Sequence, residues 1–265
     1  MKNIEESITI HYTKMSKTDK AIFEQILAAP KKFVGLSIHD LSKDLQVSSP
    51  TLLRAARKIG YSGYPEFKLA LEEYVREEKI SLASPSETLL TSIISTYEKS
   101  LAGLKEGDLE KDILEIVDWM NEAADIKIIG IGNSALPAQQ LVYSLYSQGK
   151  FYEAITTETQ IYFLQQALNE KAVYFIYSVS ALDYYENFIE LANSINAKTV
   201  LVTMNKDAKI NSKPTKTIVL PATSTFLRND GSLRQLDMRL ELFLFSEIVS
   251  YYYDWITDKQ KKSEK

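Results

Sequence analysis

The stretch Leu41–Leu71, LSKDLQVSSPTLLRAARKIGYSGYPEFKLAL, decides the reading of the front of the chain. A helix is predicted over 38–45, with Ser37 as N-cap and Asp40 in its first turn, where the helix dipole favours an acid. The turn Gln46-Val47-Ser48 follows. A second helix opens on Ser48 or Ser49, with Pro50 in the first turn, where its missing N–H costs nothing. Gly60 closes it as a C-terminal cap. Leu52, Ala55 and Ile59 recur at spacings of three and four and are expected to face a core. That leaves Thr51, Arg54, Arg57 and Lys58 towards solvent. Upstream, a helix is predicted over 17–27, capped by Ser16 or Thr18 and stopped before Pro30.

Two short helices about three residues apart, the second carrying exposed Arg and Lys, meet the geometric needs of a helix-turn-helix DNA reader. The second helix fits the major groove, its front residues meet base edges and its cations meet phosphates. A solvated face on any helical domain would show the same charges. Residues 1–80 hold 13 Lys+Arg and 11 Asp+Glu, a net +2, and the remainder carries −6. A mildly basic front on an acidic body favours an anionic partner for the front, though the asymmetry alone is weak.

The same stretch resembles the N-terminal helix-turn-helix of the RpiR/MurR family of bacterial sugar-responsive regulators. The matching positions are Val47-Ser48, Pro50-Thr51, Arg54, Arg57-Lys58, Ile59-Gly60-Tyr61, Gly63-Tyr64 and Glu66-Phe67-Lys68. Pro50 stands where the family usually has Ala, and Ala55 where it usually has a buried Phe. The lost aromatic implies that Tyr61, Tyr64 or Phe67 fills the space, or that this small core is less stable. The resemblance implies double-stranded DNA as partner, with Thr51 and Arg54 at base or phosphate and Ser49, Arg57 and Lys58 positioning the backbone.

Behind residues 1–80 the small, polar, proline-containing run 81–86 marks a boundary, and 81–108 is expected to be linker and connecting helix. Helices are predicted over 88–101 and 109–124. An alternation follows: strand 126–132, helix 136–148, strand 151–155, helix 159–168, strand 172–177, helix 182–195, strand 199–204 and strand 217–220. Continuous β-branched runs separated by helices imply a parallel sheet buried on both faces, with right-handed crossovers. Such a sheet binds ligands at the carboxyl ends of its strands.

Two of those ends carry informative residues. Gly130-Ile131-Gly132-Asn133-Ser134 lies between strand and helix. The third glycine of a dinucleotide fingerprint is absent, and an equally physical reading is a loop offering N–H groups and the Ser134 hydroxyl to a phosphate. Tyr177-Ser178-Val179-Ser180 again joins strand to helix, where serines serve equally well as caps.

Together these ends resemble the SIS (sugar isomerase) domain, a flavodoxin-like phosphosugar-binding sheet, over 109–258. The resemblance implies a ligand set of Gly132, Asn133, Ser134, Ser178, Ser180 and Asp183, a sugar phosphate or related carbohydrate as effector, and a dimerising role. Ala181 replaces a Gly whose missing Cβ lets N–H groups approach the phosphate. Asp183 puts a carboxylate where the family usually has Thr, and a carboxylate ~4 Å from a phosphate is repelled by several kcal/mol. Weakened phosphate affinity, a different ligand, or a ligand-blind dimeriser all follow from those two changes.

A capping box of Ser232 and Gln235 is expected to open a helix running to about 256. Its residues Leu240, Leu242, Phe243, Leu244, Phe245, Ile248 and Val249 cover most of the circumference, so it should be buried, within the monomer or against a second subunit. A homodimer, further assembled into a tetramer or not, suits palindromic DNA.

Composition removes other classes. The 265 residues contain no Cys and two His, 45% are apolar and 25% charged. Disulfides, thiolate nucleophiles and cysteine metal sites are excluded, and no cofactor or metal is expected. His11 and His39 both precede the sheet, so an isomerase would need Glu153 or Glu158 as its base. No apolar run spans a bilayer and the N-terminus lacks secretory order, so no membrane partner and a cytoplasmic location are expected.

Overall fold

In a computed structural model of the chain, the described residues are 3–78, 88–105, 108–146, 149–222, 226–227, 233–234 and 240–263. Two compact units emerge, Met1–Lys99 with Ala222–Asp237, and Ser100–Pro221 with Met238–Lys265. The predicted run 81–86 and the Ser232–Gln235 box lie outside the described residues.

The first unit is helical: α1 (Ile4–His11), α2 (Lys17–Ala28), α3 (Pro30–Phe33), α4 (Ile38–Asp44), α5 (Ser49–Lys58) and α6 (Tyr64–Glu78). Local chemistry sets these boundaries. Asn3 Oδ1 accepts from the N–H groups of Glu5 and Glu6 at the start of α1. Ser16 and Asp19 form a reciprocal capping box on α2. Pro30 stops α2 and heads the one-turn α3. Ser37 and Ser48 cap α4 and α5.

Both α4 and α5 end in the same hydrogen-bonded turn. In α4 the N–H groups of Gln46 and Val47 donate to Lys43 and Ser42, and in α5 those of Gly60 and Tyr61 donate to Arg57 and Ala56. The motif needs a left-handed residue just past each helix. Gly60 adopts it freely at φ +95°, whereas Gln46 does so with a Cβ at φ +55°. Leu52, Ala55 and Ile59 are buried as their spacing predicts, and Ala56 joins them. The same core holds Phe67, which meets Phe23 and Tyr61 edge-on at centroid distances of 6.0 and 5.5 Å. Tyr64 is only partly buried and donates its hydroxyl to the Leu36 carbonyl at 2.9 Å.

The division between the units falls inside α7 (Leu89–Gly103). The second unit continues with α8 (Leu109–Glu122), β1 (Asp125–Gly130), α9 (Ala135–Tyr146), β2 (Glu153–Ile155), α10 (Glu158–Leu164) and β3 (Ala172–Tyr177). After these come α11 (Glu186–Ser194), β4 (Lys198–Thr203) and β5 (Lys216–Val219). A two-residue antiparallel pair, β6 (Phe226–Leu227) with β7 (Leu233–Arg234), precedes α12 (Leu240–Ser263).

The five main strands are all parallel, in the order β2-β1-β3-β4-β5. This is the flavodoxin-like order, so the fold class read from the sequence holds: a helical front followed by an α/β body with a parallel sheet. Strand β3 is buried at all six positions, as expected of a strand covered on both faces. Its residues alternate between the two covers. Tyr174 and Ile176 pack with Phe188 and Ile189 of α11, whereas Tyr177 meets Phe245 edge-on and bonds the Ser246 hydroxyl at 2.8 Å.

Helix α12 packs on α8 and α9. Its buried stripe is Glu241, Leu242, Phe245, Ser246, Val249, Ser250 and Tyr253, while Phe243, Leu244 and Ile248 are half-buried and Leu240 is exposed. The helix is therefore one-sided rather than apolar all round. Among the described residues no helix is long and apolar enough to cross a membrane.

Candidate nucleic-acid interface and ligand loops

Helix α5 presents Thr51, Arg54, Arg57 and Lys58 on its outer side, the last three exposed and Thr51 half-exposed. Its hydroxyls are mutually ordered. Ser48 Oγ accepts the Thr51 N–H at 3.2 Å and lies 2.8 Å from Thr51 Oγ1, which Arg54 Nη2 approaches at 3.4 Å. Ser49 turns inward instead, its Oγ 2.9 Å from Ser42 Oγ, which pins α4 to α5 at the turn. Arg57 Nε donates to the Ser62 carbonyl at 3.3 Å. Thr51, Arg54, Arg57 and Lys58, with Ser16, Thr18 and Asp19, line a cleft of about 690 Å³.

Lys58 is placed differently from its neighbours. Its Nζ lies 2.6 Å from Asp19 Oδ2, with Asp19's side chain only 11% exposed. Burial raises the Asp19 pKa, but the hydrogen bonds and charge from Lys58 and the Ser16 hydroxyl and N–H outweigh it, so the carboxyl sits below its usual range. A carboxyl lowered by folding contributes stability above its unfolded pKa of ~3.9, and that contribution is lost as pH falls through the folded value. Asp19→Ala should therefore lower urea stability at pH 7, by about 0.5–1.5 kcal/mol for each hydrogen bond from Ser16 that the carboxylate accepts. The gap from the unsubstituted chain should be smaller at a pH well below the unfolded value of ~3.9 than at pH 7. A gap of equal size at both pH values would contradict this.

In the second unit, Gly130 is paired with Tyr177 in the β1–β3 ladder. The two sequence motifs thus leave the sheet side by side, between β1 and β3, where connections diverge to opposite sides. Open α/β sheets hold ligands in the crevice at such a switch point. Gly132–Ser134 forms a 3₁₀ turn running straight into α9, with Gly132 and Asn133 exposed and Ser134 half-exposed. The buried Tyr185 ties the loops together, since its hydroxyl hydrogen-bonds the Ile131 backbone and burial pushes its pKa well up.

The second loop is braced from β4. The Thr203 hydroxyl donates to the Val179 carbonyl at 3.0 Å and Asn205 Nδ2 to the Ser180 carbonyl at 3.1 Å. Ser178 is buried and its Oγ accepts the Leu182 N–H at 3.1 Å, so it acts as a local cap. Ser180 is buried as well, and Asp183 is exposed at the head of a 3₁₀ turn, Asp183–Tyr185. The predicted helix over 182–195 therefore starts only at Glu186, because the cap and turn consume the preceding residues.

Ala181 sits at φ +48° and is 3% exposed. This is the left-handed region, where a Cβ costs roughly 1–2 kcal/mol. Ala181→Gly removes that strain but adds unfolded-chain entropy of about 0.5–1 kcal/mol. A net gain below ~1 kcal/mol is expected, a rise of about 1–3 °C in melting temperature. A fall on calorimetry would show that the buried methyl matters more than the strain.

Of the other candidates, Glu153 pairs with Lys127 at 3.0 Å on exposed β2, and Glu158 is exposed at the head of α10. His11 Nδ1 lies 2.9 Å from the Ser7 carbonyl and His39 is exposed on α4. Among the described residues no group of three or more His, Asp or Glu could hold a metal ion. Sequence reasoning missed Asp19 and Tyr185. Asp19 was visible only as an acid three residues after a Ser.

The described fold is thus a helical unit with helix-turn-helix geometry followed by a flavodoxin-like sheet with polar loops at its switch point. Residues 2–78 match the family described as "Helix-turn-helix domain, rpiR family". Residues 2–78 therefore carry a helix-turn-helix domain of the rpiR type. An uncharacterized HTH-type transcriptional regulator of Haemophilus influenzae is 28% identical over 180 residues, 63% of this chain and 61% of that protein. The chain thus spans under two thirds of that relative's length. NanR of Vibrio vulnificus, solved in complex with ManNAc-6P, superposes with TM-score 0.54 at 20% identity, covering 97% of this chain and 94% of that one. The sugar isomerase domain of an RpiR transcription factor from Sphaerobacter thermophilus gives 0.53 at 15% identity, over 67% of this chain and 96% of that one. At these identities the two structures bear on fold alone.

Proposed function

We propose that this chain is a cytoplasmic transcription regulator of sugar-metabolism genes. In this reading 1–80 binds double-stranded DNA, 81–108 connects, and 109–258 binds a sugar-phosphate-like effector and dimerises. The observation that carries it is the outer side of α5, where Thr51, Arg54 and Arg57 share one open cleft in an rpiR-type domain. Thr51 and Arg54 meet base edges or phosphates and Arg57 holds the register, while Ser49, turned onto Ser42, braces the turn instead. Gel-shift titration against duplex from upstream of the chain's own gene tests this half. No retarded band at low salt would end it.

The effector half is supported by Gly132, Asn133, Ser134 and Ser180 lying on loops at the β1–β3 switch point. That NanR was solved with ManNAc-6P makes an amino-sugar phosphate a reasonable first compound to try. A second reading, a ligand-blind dimeriser, is favoured by Ser178's engagement as a cap and by the buried methyl of Ala181. Thermal shift with hexose and amino-sugar phosphates separates the two, because a ligand bound only to the native state raises its melting point. Catalysis is not part of the proposal: both imidazoles lie in the front unit, and Glu153 is held in an ion pair with Lys127, which Asp125 shares.

A further inference from the structure

We propose that Asp19 is an affinity-limiting carboxylate inside the DNA-facing cleft, and that Lys58 serves Asp19 rather than the DNA backbone. The inference rests on the DNA-binding reading of α5 and refines it. Asp19 has a local role in the α2 capping box, where Oδ2 accepts the Ser16 N–H at 2.8 Å and its hydroxyl at 2.7 Å. That role would be complete without Lys58. Yet Lys58, from the last turn of α5 and 39 residues on, brings its ammonium to the same oxygen at 2.6 Å.

Asp19 and Lys58 line the cleft together with Arg54, Arg57 and Thr51. Three cations face the opening, and one is cancelled by a carboxylate ordered by three donors. A phosphate entering the cleft therefore meets the guanidiniums of Arg54 and Arg57 and an adjoining anion. Non-specific affinity scales with the number of phosphates a protein neutralises, whereas base contacts do not contribute to that count. Cancelling a cation beside the residues that read bases lowers binding to every sequence while leaving base contacts intact. The pair therefore tempers overall affinity and its salt dependence and leaves base preference as it is.

The test is the salt dependence of binding by the full chain to a random-sequence duplex of about 30 base pairs, between ~50 and ~200 mM salt. Fluorescence anisotropy is read for the unsubstituted chain, Asp19→Asn, Lys58→Met and the double variant. Asn keeps a cap at position 19, and Met keeps the Lys58 stem while Asp19 retains Ser16. Asp19→Asn is expected to steepen the slope of log affinity against log salt by about 0.9, the signature of one added phosphate contact. Lys58→Met should leave the slope unchanged, and the double variant should match the unsubstituted chain.

A slope shallower by about 0.9 in Lys58→Met would make Lys58 a phosphate contact and overturn the inference, even if Asp19→Asn does not fold. An unaltered slope in a folded Asp19→Asn would overturn it equally. In both cases the unsubstituted chain still binds duplex. Absence of any salt-dependent binding by that chain would instead remove the DNA-binding reading, and this inference with it.

Discussion

Arg54→Ala combined with Arg57→Ala should lower affinity for duplex DNA by about 10²- to 10⁴-fold at ~0.1 M salt, since each such contact is worth about 1–3 kcal/mol. The fold should scarcely notice. Both side chains are exposed, Arg57 holds the Ser62 carbonyl at 3.3 Å on the surface, and Arg54 only approaches Thr51 at 3.4 Å. Exposed substitutions of this kind stay within about 0.5 kcal/mol of neutral. The two single variants distinguish reading from anchoring. Loss of a phosphate contact weakens all sequences alike and flattens the salt slope by about 0.9. Loss of a base contact relaxes the preferred sequence at one position. Anisotropy with the double variant bound as tightly as the unsubstituted chain, both folded by circular dichroism, would take α5 out of the interface.

The elements easiest to read from the sequence were those that carry their own punctuation or are buried on every side. Ala172–Tyr177 matches its predicted span because a strand covered on both faces shows as an unbroken apolar run. Helix α5 was legible because Ser48, Pro50 and Gly60 mark both ends locally. Helices α1, α3 and α6 were not read as helices. In α6 the apolar positions Phe67, Ala70, Leu71 and Val75 are diluted by Glu66, Lys68, Glu72 and Glu73, and they make sense only against α1, α3 and α5.

The candidate sites divide the same way. The glycines and serines flanking β1 and β3 stood out because strand-to-helix junctions are local, and their adjacency follows from β1 pairing with β3. Lys58's engagement could not be read, because its partner lies 39 residues away on another helix and the sequence offers only an exposed cation. Capping was one of two uses the sequence left open for Ser178, and the choice depends on Ala181 adopting a left-handed turn that the sequence disfavours.

Gly130→Ala is expected to be the most damaging single change at the switch point, and for a reason unlike that of its neighbour Gly132. A Cβ at Gly130 would fall 2.2 Å from the Ser134 carbonyl oxygen and 2.7 Å from its carbon. Those atoms are backbone, so no rotamer change relieves the overlap. The turn Gly132–Ser134 and the start of α9 must move away from β1. Forced overpacking of this kind costs up to about 3 kcal/mol or more, and α9 packs directly on β1 and α12, so the strain reaches the core. A Cβ at Gly132 meets nothing within 4 Å, but the residue holds φ +61°. Gly132→Ala should therefore cost only the left-handed penalty of roughly 1–2 kcal/mol. For a unit of this size Gly130→Ala should lower the melting temperature by about 6–12 °C and Gly132→Ala by about 2–8 °C. Any carbohydrate phosphate that stabilises the unsubstituted chain should lose its effect in Gly130→Ala, because the turn bearing Asn133 and Ser134 is displaced. Calorimetry of the two variants with and without that compound decides the matter: a Gly130→Ala melting point equal to or above that of Gly132→Ala would mean that the turn yields freely.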